Sequence, residues 1–340
     1  MNLQKYKTIH YPITYLGIVT LLLLFTGYAC TGARDGQVTD TVFLPEIDGE
    51  WWQVAGNPDL GHLNTLEQQP VDFGIWQAAD GSWQIWSCIR KTREDGNTRL
   101  FYRWESENLE DRNWKPMGIA MRADTTLGES PGGLQAPYVI KQNDRYLMFY
   151  GDWNNICLAE SKDGKTFTRV VRDGSPRLFG DKKETNTRDP MLIYSDDLWY
   201  CYYTAHPDND GAIYVRTSSD FFNWSESQRV CYGGSPGKGA LWYAECPHVV
   251  EYTEGNFYLF RTYSYGNFQS GELLSTPKTN IYHSRDPSDF GIDTDQHLIH
   301  TLEIAAPEII HKGDKWYVAA LNEDLQGIRI ARLKWIMQDD

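Results

Sequence analysis

Three carboxylates occupy the heads of matching segments in this 340-residue chain: Asp72, Asp189 and Glu245. Two carboxyl groups facing one bond can divide the work of breaking it. One acts ionised, as nucleophile or base, and the other holds a proton for the leaving group. Asp59 in Gly56-Asn-Pro-Asp59 is a rival to Asp72, and Glu308, one residue past Pro307, is a candidate fourth acid. Arg188 adjoins Asp189. Trp153, Trp76 and Trp242 offer flat faces on which a ring could stack, and His206 and His248 offer polar rim groups.

The segments that carry these residues repeat. In Pro247-His-Val-Val-Glu-Tyr-Thr-Glu-Gly-Asn-Phe-Tyr-Leu-Phe-Arg-Thr262 an apolar run, a polar turn and an aromatic return strand spell a β-hairpin. Equivalent hairpins start at Pro137, Pro190 and Pro307, and a copy without the proline is centred on Phe73. The steps from Phe73 onward are 64, 53, 57 and 60 residues. Each hairpin is followed by further strand signals, and Ser-x-Asp recurs at the end of the third strand, as in Ser161-Lys-Asp163, where short polar side chains can bond their own backbone. No long amphipathic helix is present. Four short strands per unit and five units predict an all-β, five-bladed β-propeller with four-stranded blades, built as a single domain.

In such a ring the first strand of each blade lines the central channel, and all five strand heads open on one face. They read Asp72, Ala136, Asp189, Glu245 with Cys246, and Ala306. Three acids around one axis repel one another, which a purely structural role does not explain.

Lys5 and Lys7 precede an apolar run from Tyr15 to Phe25, followed by Thr26-Gly-Tyr-Ala-Cys30. Residues 1–30 read as an export signal, too short for an ordinary spanning helix. Ala29-Cys30 resembles the end of a bacterial lipoprotein signal, which implies lipidation of Cys30 and a place at the cell envelope, periplasmic or on the cell surface. On this reading the chain meets a membrane solely through that anchor. Residues 31–45 form a tether and 46–340 the propeller. The formal charge of −14 argues against nucleic acid as a partner. Six cysteines are too few for a disulfide-built fold; Cys88, Cys201 and Cys246 fall in or beside strands, as small apolar filler. No Cys/His spacing suggests zinc, and neither a metal nor a cofactor is expected.

Thr187-Arg-Asp-Pro190 and Ala244-Glu-Cys-Pro247 resemble the RDP and EC(P) motifs of the five-bladed glycoside hydrolases, above all family 32, with families 43 and 68 as relatives. Val71-Asp-Phe-Gly74 stands where family 32 begins Asn-Asp-Pro-Asn-Gly. The resemblance implies a glycosidase acting on fructoside- or arabinofuranoside-like carbohydrate. It assigns Asp72 as nucleophile or base, Glu245 as general acid, Asp189 as transition-state stabiliser and Arg188 as a sugar-hydroxyl donor. The alternatives are a carbohydrate-binding propeller without catalysis, and a glycoside phosphorylase with Arg188 and Arg261 as phosphate contacts.

Overall fold

The computed structural model describes residues 41–180 and 186–338. Their helical content is four short 3-10 turns, and the rest is strand and loop. Five antiparallel sheets follow one another along the chain as the blades of a propeller. Blade one is Gln69–Gln77, Trp83–Arg90, Leu100–Ser106 and Lys115–Met121. Blade two is Gln135–Gln142, Arg145–Gly151 and Ile156–Ser161, its outer position divided between Thr168–Arg169 and Arg177–Phe179. Blade three is Arg188–Ser195, Leu198–Ala205, Ala212–Ser218 and Gln228–Cys231. Blade four is Glu245–Thr253, Asn256–Ser264, Lys278–Ser284 and Leu298–Leu302, with a small hairpin of Asn267–Gln269 and Glu272–Ser275 added at its end.

Blade five joins the two ends of the described chain. Its strands Glu308–Lys312, Lys315–Leu321 and Gly327–Met337 are completed by Phe43–Gly56, which pairs antiparallel with Gly327–Met337. The Phe43 N–H also donates to the Tyr258 hydroxyl at 3.0 Å, tying this strand to blade four. The closing strand therefore begins inside the stretch expected to be tether, because a lone edge strand gives no hairpin signal.

Second strands are sandwiched on both faces, so they read as nearly unbroken apolar runs. Trp83–Ile89 and Tyr146–Gly151 are buried throughout. Aromatic rings fill the seams between blades: Tyr252 stacks on Trp335 with centroids 4.3 Å apart, and Trp76, Trp86 and Phe167 close the seam between blades one and two. The Ser-x-Asp segments form the expected turns. Ser161 Oγ accepts from Gly164 N, and Asp163 Oδ1 from Lys165 N and Thr166 N. The five described cysteines are free, as expected for a fold not built on disulfides.

The innermost strands share an irregularity. Asp72, Ala136, Asp189, Cys246 and Ala306 all hold a left-handed backbone, with φ of 42°, 43°, 56°, 48° and 49°. In the first four blades the ladder slips at this point: pairing jumps from Val71 to Phe73, Gln135 to Tyr138, Arg188 to Met191 and Glu245 to His248. These are β-bulges, which bend a strand and re-aim a side chain. Each costs roughly 1–3 kcal/mol for a residue other than glycine and persists where the surroundings enforce it.

Blades one and two approach closely beside the first bulge. A Cβ on Gly74 would lie 2.1 Å from the Pro137 carbonyl oxygen. Gly74→Ala is expected to destabilise the fold by about 2–3 kcal/mol through forced separation of the two strands. Chemical denaturation checks this, and an unchanged midpoint would mean that the blades can part freely.

Candidate active site

The five residues with left-handed backbone line one void of about 20 Å³ on the propeller axis, room for about one water. Phe73, Pro137, Pro190, Pro247, Tyr138 and Glu308 complete its walls. A sugar ring has no space there, so a substrate must reach the acids from the face on which the strand heads open.

Blade one delivers Asp72, blade three Arg188 and Asp189, and blade four Glu245 and Cys246. Arg188, buried, pairs with Glu245 through Nη2 and stands 3.6 Å from Asp189 through Nε. The Cys246 backbone N–H donates to Asp189 Oδ2 at 3.1 Å, and the Cys246 thiol reaches Asp72 Oδ1 at 3.6 Å. One oxygen from each aspartate and the Cys246 sulfur lie within 4.8 Å of one another. These three atoms are the described set nearest to a cation's ligand cluster, and Arg188 and Arg99 already bring positive charge to their carboxylates. Three distant segments thus meet as the strand-head argument requires.

The electrostatics single out Asp189. Burial pushes its pKa up to about 7; Arg188 opposes the rise, while the charges of Asp72 and Glu245 add to it. Its Oδ1 is buried without a hydrogen-bond partner. Arg188 is shifted upward despite its burial, since Glu245, Asp189 and Asp72 all favour its charge. Burial and the same three carboxylates hold the Cys246 thiol well above its usual range, so it faces the site as a neutral group.

The other candidates separate clearly. Trp153 is half-buried near the site: the Arg99 guanidinium lies over its ring at 5.0 Å and is itself 3.9 Å from Asp72 Oδ2. Trp242, half exposed, occupies the 3-10 turn Leu241–Tyr243 immediately before Glu245. His206 follows blade three's second strand, and its pKa is lowered by burial and by the Arg188 charge. Trp76 is not brought to the site. It is buried in the seam, donating from Nε1 to the Gly164 carbonyl at 2.8 Å, because its position along the strand turns it to the neighbouring blade rather than to the axis. Asp59 is engaged in a turn, accepting from Gly61 N and Asn64 Nδ2, away from the axis void. Glu308 lies in the void beside His248, at 3.5 Å from Nδ1. Arg261, wholly buried, donates to the Tyr243 and Gly233 carbonyls, so it is a brace for the loop before Glu245 and not a phosphate contact. Cys30 lies outside the described residues.

Two contributors escape a reading of first-strand heads, and Cys246, itself at such a head, differs from its expected role as apolar filler, since its bulge turns the thiol to Asp72. Tyr265, whose hydroxyl is 3.2 Å from the Cys246 sulfur, follows blade four's second strand. Arg99 precedes blade one's third strand. Both loops open on the same face as the inner heads, which is the signal that could have found them.

The profile of the glycosyl hydrolases family 32 N-terminal domain matches residues 80–336, taking in Asp189 and Glu245 and starting beyond Asp72. The chain belongs to this family. Its membership makes the protein a glycosidase. Solved structures share its fold at low identity. The family 32 β-fructofuranosidase of Bombyx mori aligns with TM-score 0.56 and 18% identity over 83% of this chain, which spans 62% of that enzyme. An α-L-arabinofuranosidase of Clostridium thermocellum aligns with TM-score 0.55 and 16% identity, over 80% of this chain and 92% of its own. An endo-arabinase of Bacteroides thetaiotaomicron aligns with TM-score 0.54 and 11% identity, over 80% and 95%. No curated protein matches the sequence.

Asp189 predicts a pH dependence of stability in this family 32 domain. Its pKa is raised in the fold above the ordinary 3.8, so the native state holds a proton that the unfolded chain releases. The associated stability is fully present below about 3.8 and is lost as pH rises through about 7. Asp189→Asn abolishes this dependence. In thermal unfolding across that window, its stability relative to wild type should climb with pH and then level off; a constant offset would contradict the assignment.

Proposed function

We propose that this glycosidase hydrolyses furanosidic linkages in fructoside- or arabinofuranoside-like oligosaccharides. Asp72 acts as nucleophile, or as the base that activates water. Glu245 acts as general acid. The observation that carries this reading is the meeting of Asp72, Asp189 and Glu245 from three blades around one opening, with Arg188 joining the last two. Glycoside hydrolysis needs carboxyl groups disposed about a single anomeric centre. The preference for furanosides is supported by two fold relatives, a β-fructofuranosidase and an α-L-arabinofuranosidase.

In this mechanism the substrate enters from the open face and its anomeric carbon settles against Asp72. Glu245 protonates the glycosidic oxygen as its bond to the anomeric carbon breaks, and that carbon bonds either to the Asp72 carboxylate, from which water then displaces it, or directly to the water that Asp72 deprotonates. Asp189, with Oδ1 unpartnered and Oδ2 held by the Cys246 N–H, takes a sugar hydroxyl and faces the positive charge that develops on the ring. Arg188 keeps Glu245 and Asp189 in place and screens them from each other.

The test uses a panel of fructosides, arabinofuranosides, xylosides and galactosides. Glu245→Gln should lower kcat on the natural glycoside by about 10²–10⁴-fold, the usual contribution of a positioned acid. The loss should be much smaller on a nitrophenyl glycoside, whose leaving group needs no proton. Asp72→Asn should lose both activities. Equal losses on the two substrates in Glu245→Gln would show that Glu245 is not the acid.

A further inference from the structure

A second hollow opens on the same face, over blade one. It has a volume of about 530 Å³, and its walls include Asn57, Asp59, Asn64, Leu66, Gln68 and Arg93. It lies between the connection from Gly56 to Gln69, which enters blade one, and the loop from Lys91 to Arg99, which joins that blade's second and third strands.

The floor of this hollow is built and rigid. Gln68, almost wholly buried, donates from Nε2 to Asn57 Oδ1 at 3.0 Å and to the Pro58 carbonyl at 2.6 Å, and its Oε1 accepts from Thr65 N at 3.1 Å. Asn57 Nδ2 donates to the Gln68 carbonyl at 2.9 Å and to Gln326 Oε1 at 2.6 Å, fastening the segment to blade five. The Arg93 N–H donates to the Leu63 carbonyl at 2.9 Å, locking the two walls together.

The rim keeps free binding groups. Both recorded hydrogen bonds to the Asp59 side chain fall on Oδ1, leaving Oδ2 open. The Arg93 guanidinium is exposed and has no recorded partner among the described residues. Leu66 is fully exposed. A carboxylate acceptor, a guanidinium donor and an apolar side chain around an amide-lined floor suit a neutral polyhydroxylated ligand. The opposite charges of Asp59 and Arg93 disfavour either an anion or a cation as the occupant.

The hollow is also joined to the acids along the chain. Gln68 precedes Asp72 by four residues, at most about 13 Å of extended strand. The loop that carries Arg93 in the hollow ends at Arg99, beside Asp72. We propose that this hollow is a distal carbohydrate subsite, holding a further sugar unit of the same chain whose terminal linkage sits at Asp72 and Glu245. The proposal rests on the hydrolase reading above and makes the substrate an oligosaccharide rather than a disaccharide.

The test titrates the Glu245→Gln protein with inulin-type fructo-oligosaccharides and with α-1,5-linked arabino-oligosaccharides, from disaccharide to pentasaccharide, by calorimetry. In the series that binds, affinity should rise about tenfold once the chain is long enough to reach Arg93, the scale of one hydrogen bond to a charged group. Adding Arg93→Ala, or separately Leu66→Ser, should erase most of that gain. Both side chains are exposed, so neither change threatens the fold. Affinity independent of length, or a gain that survives both substitutions, would overturn the subsite while leaving hydrolysis at the acids intact. Failure of both series to bind, together with no turnover by wild type, would instead overturn the furanoside reading and the subsite with it.

Discussion

The left-handed turn of the backbone at Asp72, Ala136, Asp189, Cys246 and Ala306 is the constraint from which the site's geometry follows. A regular strand sends alternate side chains to its two faces, toward the neighbouring blades. The bulge breaks that alternation once in each of the first four blades at the axis. Radial packing of the five sheets supplies the enforcement, and the close approach of Gly74 to Pro137 shows how little slack remains. The strain sits where the chemistry is, on residues that a relaxed strand would orient elsewhere.

Gathering three acids on one axis raises an electrostatic problem, and the fold answers it with arginines. Arg188 serves Glu245 and Asp189 from within the same cluster, while Arg99 approaches Asp72 from the flank, backed by Trp153. Removing one partner of such a buried cluster leaves an uncompensated charge at a cost of about 3–5 kcal/mol. Two carboxyl environments result. Asp189 is closed in and proton-seeking, and Asp72 is partly open with an arginine nearby. Separate roles for chemically similar groups arise from such differences in surroundings.

The repeat was legible because hairpins buried on both faces leave long apolar runs between polar turns, and blade one remained visible through Asp80-Gly-Ser82 even without its proline. Asp72, Asp189 and Glu245 could be placed together because strand heads converge in any propeller. Closure by Phe43–Gly56 was hidden, since its partner strand lies at the far end of the chain. Trp76 misled because an aromatic in a strand looks the same whether it faces a seam or a ligand. Cys246 looked like core for a related reason: a bulge changes which residue meets the axis, and bulges leave little trace in composition. Arg99 and Tyr265 belong to loops whose positions follow from the blade geometry and not from the first-strand repeat.

The central claim is that Asp72 and Glu245 face one glycosidic bond. A crystal structure of Glu245→Gln bound to the oligosaccharide it retains tests it most directly. The account predicts the anomeric carbon of the terminal sugar against the Asp72 carboxylate, with the linking oxygen in hydrogen-bond reach of the side chain at position 245. A sugar bound elsewhere on the face, or one whose linking oxygen points away from both residues, would contradict it.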